Sequence, residues 1–347
     1  MMNTLFNLAA ADGISGFEFS LQEQVCKLLS SYCTSVEADV MGNVVGIIPA
    51  ADPKAPKVML EAHIDGIGLM VSGISEEGFL SFVPVGGVDS AILSGTEVRV
   101  YGREILFGVI GAKPPHLQTG GAKEATKISE MVIDVGLSAE TVRKKIAVGD
   151  MVCFAQKTES LNDLVVSGKS FDDRAGFISL LLCLESLKDK TLPFTLYVVA
   201  AVQEEVGLRG AAMVSERLAP DCAFVVDVCH GDTPDGGSES IFKLGSGAVI
   251  SFGPNIHPYL STLAKDMAKK ENIAVSYDAD GGDTGTDAWA VQVAKAGIPV
   301  LLLSIPLRYM HTTVETLHYD DVCAVGSLIS AMLQNLDLEA LACTYQN

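Results

Sequence analysis

The sequence is poor in tryptophan, with one in 347 residues, and poor in cations, with 24 Lys+Arg against 43 Asp+Glu. The formal net charge is −19. A chain so short of cations does not build the Lys/Arg patches that neutralise phosphates, which excludes nucleic acid as a partner. The same deficit excludes docking on anionic membranes. Long apolar runs are missing too. Phe177 to Leu184 is broken by Ser179, and Ile298 to Leu307 by Pro299 and Pro306; neither nears the ~20 residues of a membrane-spanning helix. The opening Met1-Met2-Asn3-Thr4-Leu5-Phe6 lacks the basic, apolar and small-residue succession of a secretory leader. The eight cysteines form no CxxC pair. Scattered in apolar surroundings, they read as reduced thiols of a cytoplasmic protein, not as a disulfide framework. What is abundant is core material: 48% hydrophobic and 19% charged residues exclude a disordered chain and suffice for one large or two ordinary domains.

The first ~65 residues read as α/β. Ser15-Gly16-Phe17-Glu18 has the spacing of a capping box, and Phe17, Leu21, Val25, Leu28, Leu29 and Tyr32 follow at helical intervals. Val44 to Ile48 and Val58 to Leu60 read as strands, the second running into His63-Ile64-Asp65. From Gly66 to Gly168 the texture changes to short β-like runs between Gly-rich turns, which reads as a compact β-barrel. After Ser170 the alternation of helix and strand returns, with a helix from Arg174 to Leu187, a strand from Phe194 to Val202 and a helix from Thr286 to Ala296 among others. Such alternation predicts a mostly parallel sheet flanked by helices. The simplest architecture is an α/β domain of residues 1–66 and 168–347, interrupted by an inserted β domain of residues 67–167.

In such sheets function gathers at the carboxyl ends of strands. Five candidate ends carry ionisable residues: His63-Ile64-Asp65, Asp172-Asp173-Arg174, Gln203-Glu204-Glu205, Asp227 and Tyr309-Met310-His311. Singly, each has a plain structural reading. A histidine ending a strand commonly serves a hydrogen bond, and Asp172-Asp173 doubles as an N-cap with first-turn charge. Glu204-Glu205 is harder to explain, because adjacent carboxylates after a buried strand repel and lose solvation unless positive charge faces them. Asp227 poses the same problem unless an arginine pairs with it. Together, two histidines and several carboxylates suit divalent zinc, cobalt or manganese. A pair of metals ~3.5–4 Å apart needs a bridging carboxylate, and a further carboxylate must take a proton from water. In an extended segment Asp65 faces the same way as His63 and can hold its ring in one tautomer. The Gly-rich Gly281-Gly282-Asp283-Thr284-Gly285-Thr286-Asp287 lacks a phosphate-loop lysine, and its two aspartates repel phosphate.

These blocks, in this order, resemble the metal-dependent aminopeptidases of the glutamyl aminopeptidase, "cellulase M" and TET group, peptidase family M forty-two. The resemblance is carried by Ser15-Gly16-Phe17-Glu18, Gly42-Asn43, Ala62-His63-Ile64-Asp65, Pro114-Pro115-His116-Leu117, Val148-Gly149-Asp150, Phe171-Asp172-Asp173-Arg174-Ala175-Gly176, Gln203-Glu204-Glu205-Val206-Gly207-Leu208-Arg209-Gly210-Ala211, Asp227-Val228, Gly285-Thr286-Asp287-Ala288 and Tyr309-Met310-His311-Thr312. It implies a zinc-peptidase-type fold, phosphorylase/hydrolase-like, with two divalent metal ions per chain, zinc or cobalt ahead of manganese. It also implies His63 and His311 as ligands of one metal each, Asp172 as the bridge, and Glu205 and Asp227 as the other ligands. Glu204 is implied as general base, Asp65 as the partner of His63, and the Asp172–Asp173 bond as cis. Short peptides are the implied substrates, released one N-terminal residue at a time, with the free α-amino group anchored at the metals. The β insertion is implied to join subunits into a homo-oligomer, dimers building a tetrahedral dodecamer, and the Gly281–Asp287 segment to form an active-site rim. His116 reads as an ordinary loop histidine or as an interface residue near a neighbouring subunit's site. The chain departs from the family at Gly66, where a glutamate is usual, and at Thr313, where a proline is. Two other readings compete: a catalytically silent metal-binding scaffold, against which Glu204 argues, and an endoglucanase, which would leave the histidines unexplained.

Overall fold

The computed structural model describes residues 1–112, 126–234 and 240–342. Pro114-Pro115-His116-Leu117 lies outside them. The chain opens with α1 (Met2–Ala10), α2 (Phe19–Leu29), β1 (Ser35–Ala38), β2 (Val44–Ile48) and β3 (Lys57–His63). It continues with β4 (Gly68–Ile74), β5 (Leu80–Val85), β6 (Glu97–Tyr101), β7 (Ile105–Ala112), β8 (Met131–Asp134), α3 (Ala139–Lys145) and β9 (Met151–Phe154). Then come β10 (Glu159–Ser160), β11 (Val165–Gly168), α4 (Phe171–Ser186), β12 (Thr195–Ala201), α5 (Arg209–Leu218), β13 (Cys222–His230) and β14 (Ala248–Phe252). It closes with α6 (Pro258–Lys270), β15 (Val275–Ala279), α7 (Asp287–Gln292), β16 (Val300–Arg308), β17 (Glu315–His318) and α8 (Tyr319–Leu333).

One sheet runs β1-β2-β12-β3-β13-β16-β17-β11-β10, with β14 and β15 attached beside β16. Its centre, β12-β3-β13-β16, is parallel. These strands are apolar along nearly their whole length because helices cover both faces. The outer pairs are antiparallel, apart from β14–β15, so the sheet as a whole is mixed around the parallel core the sequence predicts. α4 is buried all round, through Ala175, Phe177, Ile178, Leu180, Leu181 and Cys183, as a helix enclosed by neighbours must be. It meets α8 closely: a Cβ on Gly326 would lie 2.6 Å from the Ser179 carbonyl oxygen.

The second body is a closed barrel, β4-β5-β8-β7-β6-β9. Leu69, Val71, Leu80, Val98, Val100, Ile133 and Val152 fill it at alternate positions. The chain leaves the barrel at Phe154, and β10 and β11 already belong to the large sheet. A polar clasp joins the two bodies. Asp12 accepts two hydrogen bonds from Arg99 of β6 at 2.5 Å and one from the Tyr101 hydroxyl, with Lys169 Nζ at 3.5 Å. Among the described residues, no helix is long and apolar enough to cross a membrane.

Two local expectations are corrected. Ser15 does not cap α2, which starts at Phe19 without a side-chain cap. Its hydroxyl donates instead to Asp65 at 2.6 Å. Glu18 accepts the backbone N–H groups of Gly16 and Gln203, so tertiary partners have claimed both ends of the apparent capping box. α7 ends at Gln292, short of Ala296, and the chain turns through Lys295 and Gly297, both at positive φ.

Candidate active site

The parallel strands deliver their carboxyl ends to one place. His63 ends β3 and Asp227 lies near the end of β13. Glu204 and Glu205 follow β12, and His311 follows β16. Asp172 enters from the start of α4, where the Asp172–Asp173 peptide is cis. The six therefore converge from five separate segments, four of them at strand ends as the strand-end argument requires.

The geometry is that of two adjoining groups. His63 Nε2 lies 3.1 Å from Asp172 Oδ1 and 3.9 Å from Asp227 Oδ1. His311 Nε2 lies 3.2 Å from the other Asp172 oxygen and 3.3 Å from Glu205 Oε2. His63–Asp172–Asp227 and Asp172–Glu205–His311 each bring their ligand atoms within 4.8 Å of one another. Ligands around a tetrahedral metal at 2.0–2.2 Å stand about 3.3–3.6 Å apart, so both sets have the spacing and the N/O chemistry to hold a divalent cation. Asp172 offers one oxygen to each. Glu204 Oε2 stands 3.9 Å from His63 Nε2, outside both groups.

The electrostatics point the same way. Burial, followed by repulsion from neighbouring carboxylates, pushes Glu204 up to about 8 and Glu205 up to about 10. Asp227 is raised well above the usual carboxylate range by burial, and His63 opposes this. Asp172 goes down, because hydrogen bonds from His311 and His63 outweigh its burial. Carboxylates this close and this buried call for cations.

A supporting layer fixes the ligands. Asp65 Oδ1 lies 3.4 Å from His63 Nδ1. Asp65 also accepts the backbone N–H groups of Glu204 at 3.1 Å and Glu205 at 3.3 Å. The wholly buried Arg174 donates to the carbonyls of Leu8, Ala11, Gly13 and Ile64, tying the first helix and the Ile64 strand end beneath the site. Glu315, a buried carboxylate outside the five candidate strand ends of the sequence, accepts from the backbones of Phe171, Asp172 and His311. Its signal was an acid opening a buried strand, four residues after His311. The barrel also reaches the site: Gly87 packs so closely that a Cβ there would lie 2.6 Å from His311 Nδ1.

The groups open into a cavity of 510 Å³. Thr284, Gly285 and Thr286 edge it, in the segment for which the family resemblance implies a rim.

A strand-end site of histidines and carboxylates on a helix-flanked sheet has the donor chemistry of a hydrolytic centre that uses divalent cations. The family model described as M42 glutamyl aminopeptidase matches residues 42–328. The lysyl aminopeptidase of Pyrococcus furiosus is 33% identical over 330 residues, covering 93% of this chain and 94% of that protein. A TET aminopeptidase from a marine sediment Thaumarchaeota archaeon superposes with a TM-score of 0.92 at 31% identity, covering 99% of this chain and 98% of its own. The TET1 peptidase of Pyrococcus horikoshii, whose structure is described as able to assemble into a tetrahedron or a large octahedral shell, gives a TM-score of 0.84 at 32% identity, covering 96% and 98%. The chain belongs to the M42 glutamyl aminopeptidase family. It is an enzyme of that aminopeptidase class, and the resemblance drawn from its motifs holds across the fold.

Proposed function

We propose that the cavity releases N-terminal residues from short peptides with the help of two divalent cations, zinc or cobalt ahead of manganese. His63, Asp172 and Asp227 would hold one, and Asp172, Glu205 and His311 the other. The observation that carries this reading is the split of Asp172, one oxygen beside each histidine. When bound, such cations supply positive charge that polarises a peptide carbonyl, lowers the pKa of water and anchors a free amine. Everything else falls to the chain itself. Glu204 stands beside the ligand sets without belonging to either, which suits a group that takes a proton from water and returns it to the leaving amine. Asp65 orients the ring of His63 and, through the two backbone N–H groups, the Glu204-Glu205 pair. The test is E204Q: cation content stays at two per chain while peptide hydrolysis falls about 10²–10⁴-fold. Full hydrolysis by E204Q would remove Glu204 from the role.

The barrel is proposed as the oligomerisation module of a cytoplasmic homo-oligomer, in which dimers build a dodecamer. Ile105, Phe107 and Val109 form an outward stripe along β7, exposed by 58%, 56% and 41%. An apolar stripe of this kind favours a covering partner, and a second copy of the chain is the occupant the TET assemblies suggest. Light scattering on F107E decides it: a smaller particle than wild type supports the module, and an unchanged mass removes it.

A further inference from the structure

Besides Glu204, the cavity carries two carboxylates that the ligand sets do not use, Asp278 and Asp280. Register places Asp278 at the far side of its floor, and Asp280 follows two residues on, just past the end of β15. Asp227 is abreast of Ser304 across β13 and β16, Ser304 is abreast of Val249 on β14, and Ser251 is abreast of Asp278 on β15. Residues abreast share a face of a sheet, and so do residues two apart. Asp227, Ser304, Ser251 and Asp278 thus form one continuous floor, and all four line the cavity. From β13 to β15 is three strand spacings, about 14 Å at ~4.8 Å each.

No lysine or arginine lines the cavity among the described residues. Among the described residues, Asp278 accepts only from the backbone of its neighbour Ala279, and Asp280 accepts the N–H of Gly282 at 3.3 Å. Burial, and then Asp280, raise the Asp278 carboxyl above its ordinary value. Two divalent cations would balance Asp172, Glu204, Glu205 and Asp227, leaving Asp278 and Asp280 without counter-charge among the described residues that line the cavity. Leu302 and the two serines between them and the ligand sets leave room for an aliphatic stem. Lysine and arginine join such a stem to a cationic head about 6–7 Å from Cα.

We propose that Asp278 and Asp280 are specificity-determining residues that receive the ammonium or guanidinium group of an N-terminal lysine or arginine. This rests on the aminopeptidase reading, with the α-amino group of the substrate at the ligand sets. A glutamyl side chain would face the same two carboxylates and be repelled.

The experiment compares lysyl, arginyl, norleucyl and glutamyl anilides on the metal-loaded full chain and on D278N, D280N and the double variant, with melting temperatures to confirm folding. The wild type should favour lysyl over norleucyl substrate in kcat/KM by about tenfold or more, and the double variant should lose about tenfold of that ratio. Preference for norleucyl or glutamyl substrate, or a lysyl:norleucyl ratio untouched in a folded double variant, overturns the proposal. Calorimetry with lysine amide and norleucine amide separates it from the reading beneath it. If the wild type hydrolyses no anilide, the aminopeptidase reading fails, and the subsite stands only if lysine amide binds at least about tenfold tighter than norleucine amide; equal binding overturns it.

Discussion

Glu315 holds the backbone N–H of His311 at 3.2 Å with one carboxylate oxygen, and those of Phe171 at 2.7 Å and Asp172 at 3.2 Å with the other. A single buried side chain thereby ties the loop after β16 to the start of α4, the two segments that supply His311 and the shared Asp172. Removing it leaves both ligands on unsupported backbone and three N–H groups without their acceptor. Partners behind metal ligands typically account for about 10–100-fold in metal affinity. E315A should weaken zinc or cobalt binding by that amount in equilibrium dialysis, and E315Q, which keeps one acceptor oxygen, by less. Unchanged affinity in folded E315A would mean that the loops hold their shape without it.

Chelation should cost stability as well as activity. Glu204, Glu205 and Asp227 are forced upward in pKa by burial beside one another, so the folded chain without cations carries an unfavourable cluster. A cation that binds only the folded state stabilises it by about 4 kcal/mol at a thousand times its Kd. Zinc or cobalt added to chelated protein should therefore raise the Tm by several degrees, and magnesium, which prefers an all-oxygen octahedron, by much less. A Tm indifferent to zinc and cobalt would count against the ligand sets.

Much of this centre is legible in the sequence because its residues sit where chemistry conflicts with burial. Glu204-Glu205 after an apolar strand and Asp227 within one are conspicuous for that reason. His63 and His311 gain meaning only alongside them. Glu315 and Asp278 escape notice because their partners, backbone amides in one case and a facing β14 strand in the other, are set by register across a sheet. Ser15 and Glu18 mislead for a related reason: their spacing fits a local cap, yet Asp65 and the Gln203 backbone offer better buried partners. In the sheet, the parallel centre is written in continuous apolar runs, whereas the antiparallel flanks depend on which edges meet.

The barrel should influence the site directly. Gly86 has φ +77°, and a Cβ on Gly87 would press on the His311 ring. G87A has to push that ring aside by a fraction of an ångström or more. Misplacement of about 1 Å near reacting groups can cost about 100-fold in rate. G87A should lower kcat/KM about 10–100-fold while the barrel melts as in wild type. Wild-type activity in G87A would show that the His311 loop yields without consequence.

The Asp12 clasp gives a pH signature away from the ligand sets. Burial alone would raise its carboxyl, but hydrogen bonds from Arg99 and the charge of Lys169 outweigh this and lower it below the ordinary 3.8. A carboxyl lowered on folding adds stability that is fully present above its unfolded pKa and is lost as pH falls toward its folded one. D12N should therefore destabilise the protein by about 1.5–3 kcal/mol near pH 7, the range for a hydrogen bond to a charged group. The gap between wild type and D12N should narrow below about pH 4, where the Asp12 carboxyl of the unfolded chain takes up a proton while the folded one still resists it. Denaturant titrations of both proteins at pH 7, 5, 4 and 3.5 measure this. A gap that stays constant through pH 3.5 would mean that Asp12 acts through packing and not through its charge.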